Sequence, residues 1–305
     1  MVCYDNLVKI LHEKGIKKSD LTKLLGISSR TIAKIGRGEK IADHVLQKIA
    51  AYLDCAVEDL CRTVCDNAIL AALREEMEGK ISGGIYHETQ VRLTYNSNRI
   101  EGSRLTEDQT RLIFETNTIG AEEGVPVDDI IETCNHFRAI DFVIAKAEDE
   151  LTEEFIKELH RILKTATSDS RIEWFRVGEY KAKPNTVGGQ PTISPARVSG
   201  EMQKLLKWYA ETAPVSFEKI VEFHYRFESI HPFQDGNGRV GRLIAFKESL
   251  KNNIVPFIIE DGKKMFYYRG LHEWNNERGY LVETCLDGQD AYKALLKYFE
   301  IKFKD

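Results

Sequence analysis

Apolar side chains recur at helical spacing along almost the whole chain. Leu7, Ile10 and Leu11 form a first short face, which Gly15 stops. Ser19 is placed to cap a helix starting at Asp20, and Gly26 ends it. Ser28 caps the next, Ser29 to Ile35, with Gly36 and Gly38 closing it. Val45, Leu46, Ile49, Ala50 and Leu53 supply a further amphipathic helix to pack beneath. Residues 63–86 read as helical until Ile81-Ser82-Gly83-Gly84 interrupts them. Beyond that the spacing predicts helices over 86–98, 106–115, 126–148, 152–164, 195–211, 216–229, 238–252, 263–275 and 288–303. One segment, 177–195, mixes Gly, Pro and β-branched residues instead. Gly188-Gly189 between short extended runs predicts a hairpin there. Two strands alone are marginally stable, so a lone hairpin on a helical body points to function.

The pattern makes the protein all-α: a helical bundle with a small β-hairpin, preceded by a small helix-turn-helix domain. The expected division is 1–64 for the small domain, 65–85 for a connecting helix or linker, and 86–305 for the large domain.

Composition changes this picture little. Hydrophobic content of 42% and charged content of 30% are ordinary for a soluble globular protein. No stretch approaches the roughly 20 apolar residues of a membrane span, so no membrane partner is expected. The segment Met1 to Asn6 lacks the order of a signal peptide, and a cytoplasmic protein is expected. Six cysteines are scattered, and Cys61 and Cys65 lie four apart as helix core positions would. Reduced thiols follow. Charge is uneven. Residues 1–62 hold 11 Lys and Arg against 8 Asp and Glu, while the whole chain carries a net −5. A mildly basic head on an acidic body fits a small nucleic-acid-binding unit attached to something else.

That head resembles the Cro/repressor-type helix-turn-helix: a helix, a short turn beginning with Gly26, and a second helix. The resemblance implies that the second helix enters the major groove of DNA, with Ser28, Ser29, Arg30, Thr31 and Lys34 as DNA-binding residues. The same residues also suit a trihelical packing unit that binds protein.

The densest chemistry lies at His231-Pro232-Phe233-Gln234-Asp235-Gly236-Asn237-Gly238-Arg239-Val240-Gly241-Arg242. Pro232 forces the chain out of an aromatic-rich helix, and Asp235 to Gly238 turns it into another. The free N–H groups at that helix start make an anion site. Arg239 and Arg242, three apart, share a face beside it. Asp235 is a hard oxygen donor suited to Mg²⁺ bridging phosphates, and His231 is a base that titrates near neutrality. Together these are the parts of a phosphoryl- or nucleotidyl-transfer site.

The stretch resembles the Fic family signature HxFx[DE]GNGRxxR at every specified position, and the likeness runs from about residue 86 to 300. It implies a Fic fold and a protein adenylyltransferase that moves AMP from ATP to a Ser, Thr or Tyr hydroxyl of a target protein. His231 is then the catalytic base and Phe233 a core anchor. Asp235 becomes the Mg²⁺ ligand. Gly236, Asn237, Gly238, Arg239 and Arg242 become the phosphate cradle. The hairpin resembles the family's flap, with Thr186, Val187, Gly188 and Gly189 docking the target. Tyr268 and Asn275 match positions that line the nucleoside pocket, although Tyr267 and Tyr268 read equally well as aromatic core.

Ser97-Asn98-Arg99-Ile100-Glu101-Gly102 resembles the inhibitory motif [ST]xxxE[GN] of the same family. It implies that Glu101 forms a bidentate pair with Arg242, denying that arginine to the γ-phosphate. The stretch also reads as a helix end with Gly102 as its cap, and both readings hold together. Relatives with this glutamate also run the reverse, de-AMPylating reaction.

Two other readings compete. One is a DNA-binding transcription regulator whose Fic body senses nucleotide. The other keeps the fold but transfers phosphocholine or phosphate. Dimers are common in both resembled groups, so a homodimer is the expectation.

Overall fold

The computed structural model describes residues 2–57, 59–63, 67–120, 124–211 and 213–303. The chain divides into two compact units, Met1–Asn67 and Ala68–Asp305.

The smaller unit holds four helices among its described residues: α1 (Asp5–Glu13), α2 (Asp20–Leu25), α3 (Ser29–Gly36) and α4 (Asp43–Leu53). Leu7, Leu11, Leu21, Ile35, Ile49, Leu53 and Leu60 pack as its core, each nearly or wholly buried. Burial of each such side chain contributes on the order of 2 kcal/mol. Ser28 caps α3 as its sequence position requires, its Oγ accepting from the Thr31 N–H at 3.2 Å. Ser19 occupies the capping position of α2 but its side chain makes no capping bond. The Asp20 carboxylate instead accepts from the Lys17 N–H at 3.0 Å, tying the turn together. A two-residue pairing of β1 (Val2–Cys3) with β2 (Arg62–Thr63) closes the ends of the unit. Such short strands leave no periodic trace to read. Cys65 lies outside the described residues.

The larger unit is mainly helical among its described residues. In order come α5 (Ala68–Gly79), α6 (Ile85–Ile100), α7 (Glu107–Thr116), α8 (Val127–Ala145), α9 (Glu153–Lys164), a hairpin, α10 (Pro195–Ala210), α11 (Phe217–Ile230), α12 (Asn237–Lys251), α13 (Lys264–Glu273) and α14 (Gly279–Tyr298). The hairpin pairs β3 (Thr186–Val187) with β4 (Gln190–Pro191). Helix α5 falls in the stretch expected to connect the domains, and its Ile69, Leu70 and Leu73 are buried in the core of this unit.

Helix α12 is the axis. Every residue from Asn237 to Leu250 is buried, with α11, α8, α9 and α6 packed around it. A helix covered on all sides must pair its charged side chains, and this one does. Lys247 meets Glu248 at 2.7 Å, and the Tyr209 hydroxyl donates to Glu248 at 3.0 Å.

The last helix departs from the spacing, which placed it at 288–303. It starts nine residues earlier, at Gly279, and ends at Tyr298. Gly288, read from sequence as a boundary, lies inside the helix: a Cβ there would sit 2.4 Å from the Ile258 carbonyl oxygen. A backbone contact required the glycine, not a helix start.

Candidate active site

Helix α11 ends at Ile230, and His231 follows it in the left-handed region, φ 50° and ψ 63°. Pro232 has no N–H to continue the helix. The loop from Pro232 to Gly236 is then pinned from several directions. Phe233 is fully buried, its ring stacked on His160 with centroids 4.0 Å apart and planes 2° from parallel. The Phe233 N–H donates to Asn237 Oδ1 at 2.7 Å, and Asn237 Nδ2 returns to the Phe233 carbonyl at 2.9 Å. Asn185 Nδ2 reaches the carbonyls of Phe233 and Gln234, and the Lys181 N–H donates to the Pro232 carbonyl at 2.9 Å. The side chain of Asn237 therefore holds the loop. Asn237 and Gly238 also begin α12, whose first N–H groups have no partner within the helix.

A cavity of about 790 Å³ opens over this turn. It is lined by His231, Asp235, Gly236, Asn237, Gly238 and Glu101, among others. Tyr267 and Tyr268 line it too, as do Thr186, Val187 and Gly188 of the hairpin. Gly188 and Gly189 have φ of 56° and 78°, as a two-residue turn with both central residues left-handed demands. Asn275 is exposed in the turn after α13 and is not among the residues lining this cavity.

Electrostatics divide the site in two. On one side, Arg242 Nη2 donates to Glu101 Oε1 at 2.7 Å, while Nε and Nη2 donate to the side chain and carbonyl of Ser97 at 3.0 and 2.9 Å. The contact with Glu101 is thus through one nitrogen, Nη2, which it shares with the Ser97 carbonyl, and not the bidentate fork expected. Arg242 Nη1 is buried and has no hydrogen-bond partner. The Glu101 carboxylate also lies against the start of α12: a Cβ on Gly238 would sit 2.2 Å from its Oε1.

On the other side, Arg239 pairs with Glu132 and with Asp235 Oδ2, the latter at 3.1 Å. Lys164 Nζ donates to the same Oδ2 at 2.7 Å. The two arginines, three apart on one helix, are therefore held by different acids rather than aimed at one point. Burial raises the Asp235 carboxyl, but Arg239 and Lys164 outweigh it and hold the group well below the usual carboxylate range. Burial, helped by the charge of Lys181, pushes the His231 imidazole down to about 4, so it is a neutral free base at pH 7.

Lys164, Glu132 and Glu228 escaped the sequence reading. Lys164 and Glu132 sat on helices where a charge reads as solvated surface. Glu228 is buried beneath the cavity, and burial pushes its carboxyl up to about 8, against the pull of Arg242.

These features coincide with a known family. Residues 150–247 match the Fic/DOC family, and residues 6–66 match the Cro/C1-type HTH DNA-binding domain. The chain carries a Fic/DOC domain and a Cro/C1-type helix-turn-helix domain. Protein adenylyltransferase fic-1 of Caenorhabditis elegans is 26% identical over 195 residues, 62% of this chain and 37% of that protein. Protein adenylyltransferase Fic of Aedes aegypti is 28% identical over 253 residues, 81% of this chain and 47% of that protein. The chain thus spans less than half the length of these curated relatives. A Fic domain containing signaling protein from Bacteroides thetaiotaomicron superposes with a TM-score of 0.57 at 26% identity, over 75% of this chain and 90% of that one. Residues 134–508 of C. elegans Fic-1 superpose with a TM-score of 0.59 at 21% identity, over 76% and 71%, a likeness of fold.

In the small domain, Ser28, Ser29 and Arg30 at the start of α3 are exposed, and Thr31 and Lys34 are half-buried. No described helix of the chain is long and apolar enough to cross a membrane.

Proposed function

We propose that the Fic domain transfers AMP from ATP to a hydroxyl of a target protein and is held inactive by Glu101. The observation that carries this reading is the convergence of His231, Asp235 and the first turn of α12 on one cavity beneath the hairpin. The Arg242 Nη1 group and the Arg239 Nε group are buried without hydrogen-bond partners, as donors awaiting an anion are.

In this mechanism the β3–β4 hairpin aligns an extended target segment by backbone pairing, leaving its Ser, Thr or Tyr hydroxyl at His231. His231 takes the hydroxyl proton as the oxygen attacks the α-phosphorus. The bond from that phosphorus to the bridging oxygen of the β-phosphate breaks, and pyrophosphate leaves. The N–H groups of Gly236, Asn237 and Gly238, with Arg239 and Arg242, stabilise the phosphate charge. Tyr268 bounds the nucleoside end, and Phe233 keeps the loop in place.

Asp235 fits a Mg²⁺ ligand. Its side chain is 49% exposed, it lines the cavity, and it stays ionised at any working pH. An ion there would be held by this one carboxylate and by the substrate's phosphates. Such an ion would neutralise the α- and β-phosphates.

Glu101 caps the C-terminal end of α6, where the helix dipole disfavours a carboxylate. Its position serves Arg242 and the start of α12 rather than its own helix. It occupies with its own negative charge the place where the γ-phosphate would sit, so ATP binds out of line for attack.

Incubation of wild type and of Glu101→Gly with labelled ATP and a bacterial lysate tests both parts. Label on protein only in the variant supports them. Label in neither removes the enzyme reading and leaves the nucleotide-sensing regulator, which needs no catalytic base. The small domain we assign to DNA, on the exposed N-terminal turn of α3 bearing Ser28, Ser29 and Arg30.

A further inference from the structure

We propose that Lys164 is an internal counter-cation that weakens the hold of Asp235 on a divalent ion, and so sets the Mg²⁺ requirement of the site. The proposal rests on the reading of Asp235 as the metal ligand.

Lys164 is the last residue of α9, where a lysine normally reaches into water. Here its side chain is 2% exposed. The ammonium has three donors, and each meets a carboxylate: Glu132 at 2.6 Å, Asp235 at 2.7 Å and Asp169 at 3.0 Å. Its stem runs beneath the loop, since a Cβ on Gly236 would lie 3.6 Å from its Cδ. Glu132 also pairs with Arg239, which shares Asp235 Oδ2 with Lys164. Two buried cations and three carboxylates of graded exposure thus form one cluster, and Asp235 is the member most open to the cavity, at 49% against 38% for Asp169 and 16% for Glu132.

The arrangement has a cost that stability does not explain. A buried charge cluster is often no better than apolar side chains of the same volume. It has a plain consequence, however. Any divalent ion approaching Asp235 meets an ammonium and a guanidinium already bonded to one of its oxygens. Like charges at that range oppose binding strongly inside a protein. The ion is therefore retained well only when nucleotide phosphates supply the rest of its ligands, and the acidic loop does not collect Mg²⁺ by itself.

Asp169 adjusts the effect. It draws Lys164 away from Asp235, so losing its charge should tighten the hold of Lys164 on Asp235. Removing Lys164 and removing the Asp169 charge therefore act in opposite directions, which a merely structural role for the cluster would not produce.

The test is calorimetric titration of ATP, once with saturating Mg²⁺ and once with EDTA, into full-length protein carrying Glu101→Gly and His231→Ala to prevent turnover. The readout is the ratio of the two dissociation constants. Lys164→Gln should enlarge the benefit of Mg²⁺ by about tenfold, and Asp169→Asn should reduce it by about two- to threefold. Asp235→Asn should reduce it furthest. If Asp235→Asn lowers the benefit while Lys164→Gln and Asp169→Asn leave it at the parent value, the role of Lys164 is overturned and that of Asp235 stands. If Asp235→Asn leaves it unchanged, the metal-ligand reading falls and the inference with it. Should Lys164→Gln not fold, the half-exposed Asp169→Asn decides: a reduced benefit supports the proposal, and an equal or greater one overturns it.

Discussion

Arg242 donates to Glu101 at 2.7 Å across 141 positions of sequence, joining the end of α6 to the first turns of α12. The guanidinium is 4% exposed and the carboxylate 30%, so solvent screens the pair only in part. A hydrogen bond to a charged group is worth about 1.5–3 kcal/mol, and every 1.4 kcal/mol is about tenfold. Glu101→Gly should therefore raise AMP incorporation by about ten- to a hundredfold over wild type, and adding His231→Ala should abolish it. Incorporation of label from ATP measures both. Equal, low incorporation by wild type and Glu101→Gly would sink the inhibitory role.

The pH dependence of the activated protein follows from the His231 environment. Its imidazole is pushed down to about 4, so the free base persists through pH 5. Transfer by Glu101→Gly should hold nearly level from pH 7 to about 5.5 and fall only below that. An acid limb centred near 6.5, the ordinary histidine value, would show that His231 is far more hydrated in the working enzyme.

Stability should move with pH over a wider window. His160 and His224 are buried and pushed down to about 3, and His136 is lowered by burial and by Arg239 and Arg242. Each stays neutral in the fold while its unfolded counterpart takes a proton below about 6.5, so the unfolded state binds more protons. The stability they contribute is full above about 6.5 and is lost as pH falls toward 3. Each costs up to about 1.4 kcal/mol per pH unit in that window. Urea unfolding at pH 7.5 and 5 should show a clear drop, and replacing His160 by Gln should flatten it.

The hairpin turn offers a separate handle on the target. Gly189 has φ 78°, where a β-branched residue is strained by about 1–2 kcal/mol. Gly189→Val should cut protein labelling by Glu101→Gly several-fold and leave ATP affinity unchanged in calorimetry. A matched loss of ATP affinity would place the hairpin in nucleotide binding instead.

For the small domain, Arg30→Ala should weaken binding of the full chain to genomic DNA fragments in a gel-shift titration and reduce its salt dependence by about one phosphate contact. Ser28→Ala should cost α3 about 1 kcal/mol through the lost cap and weaken DNA binding both through that loss and through the missing hydroxyl contact. Full DNA affinity in Arg30→Ala would favour a protein-binding role for this unit.

Local chemistry was legible in the sequence wherever neighbours along the chain determine it. The 231–242 stretch carried its turn, its helix start and its charged groups within twelve residues, and most helices stood in their periodicity to within a few positions. The Gly188-Gly189 turn was legible because few residues tolerate its backbone. What the sequence could not hold was the choice of partners among side chains distant in the chain. That Lys164 is buried against Asp235 rather than solvated depends on α9 and α8 closing around α12. That Arg239 and Arg242 part company depends on Glu132 and Ser97 arriving from different helices. The start of α14 was misplaced because a glycine demanded by a backbone contact looks the same, in one dimension, as one that ends a helix. Sequence determined which groups this protein owns; packing decided which charge each one faces, because burial removes the water that would otherwise answer it.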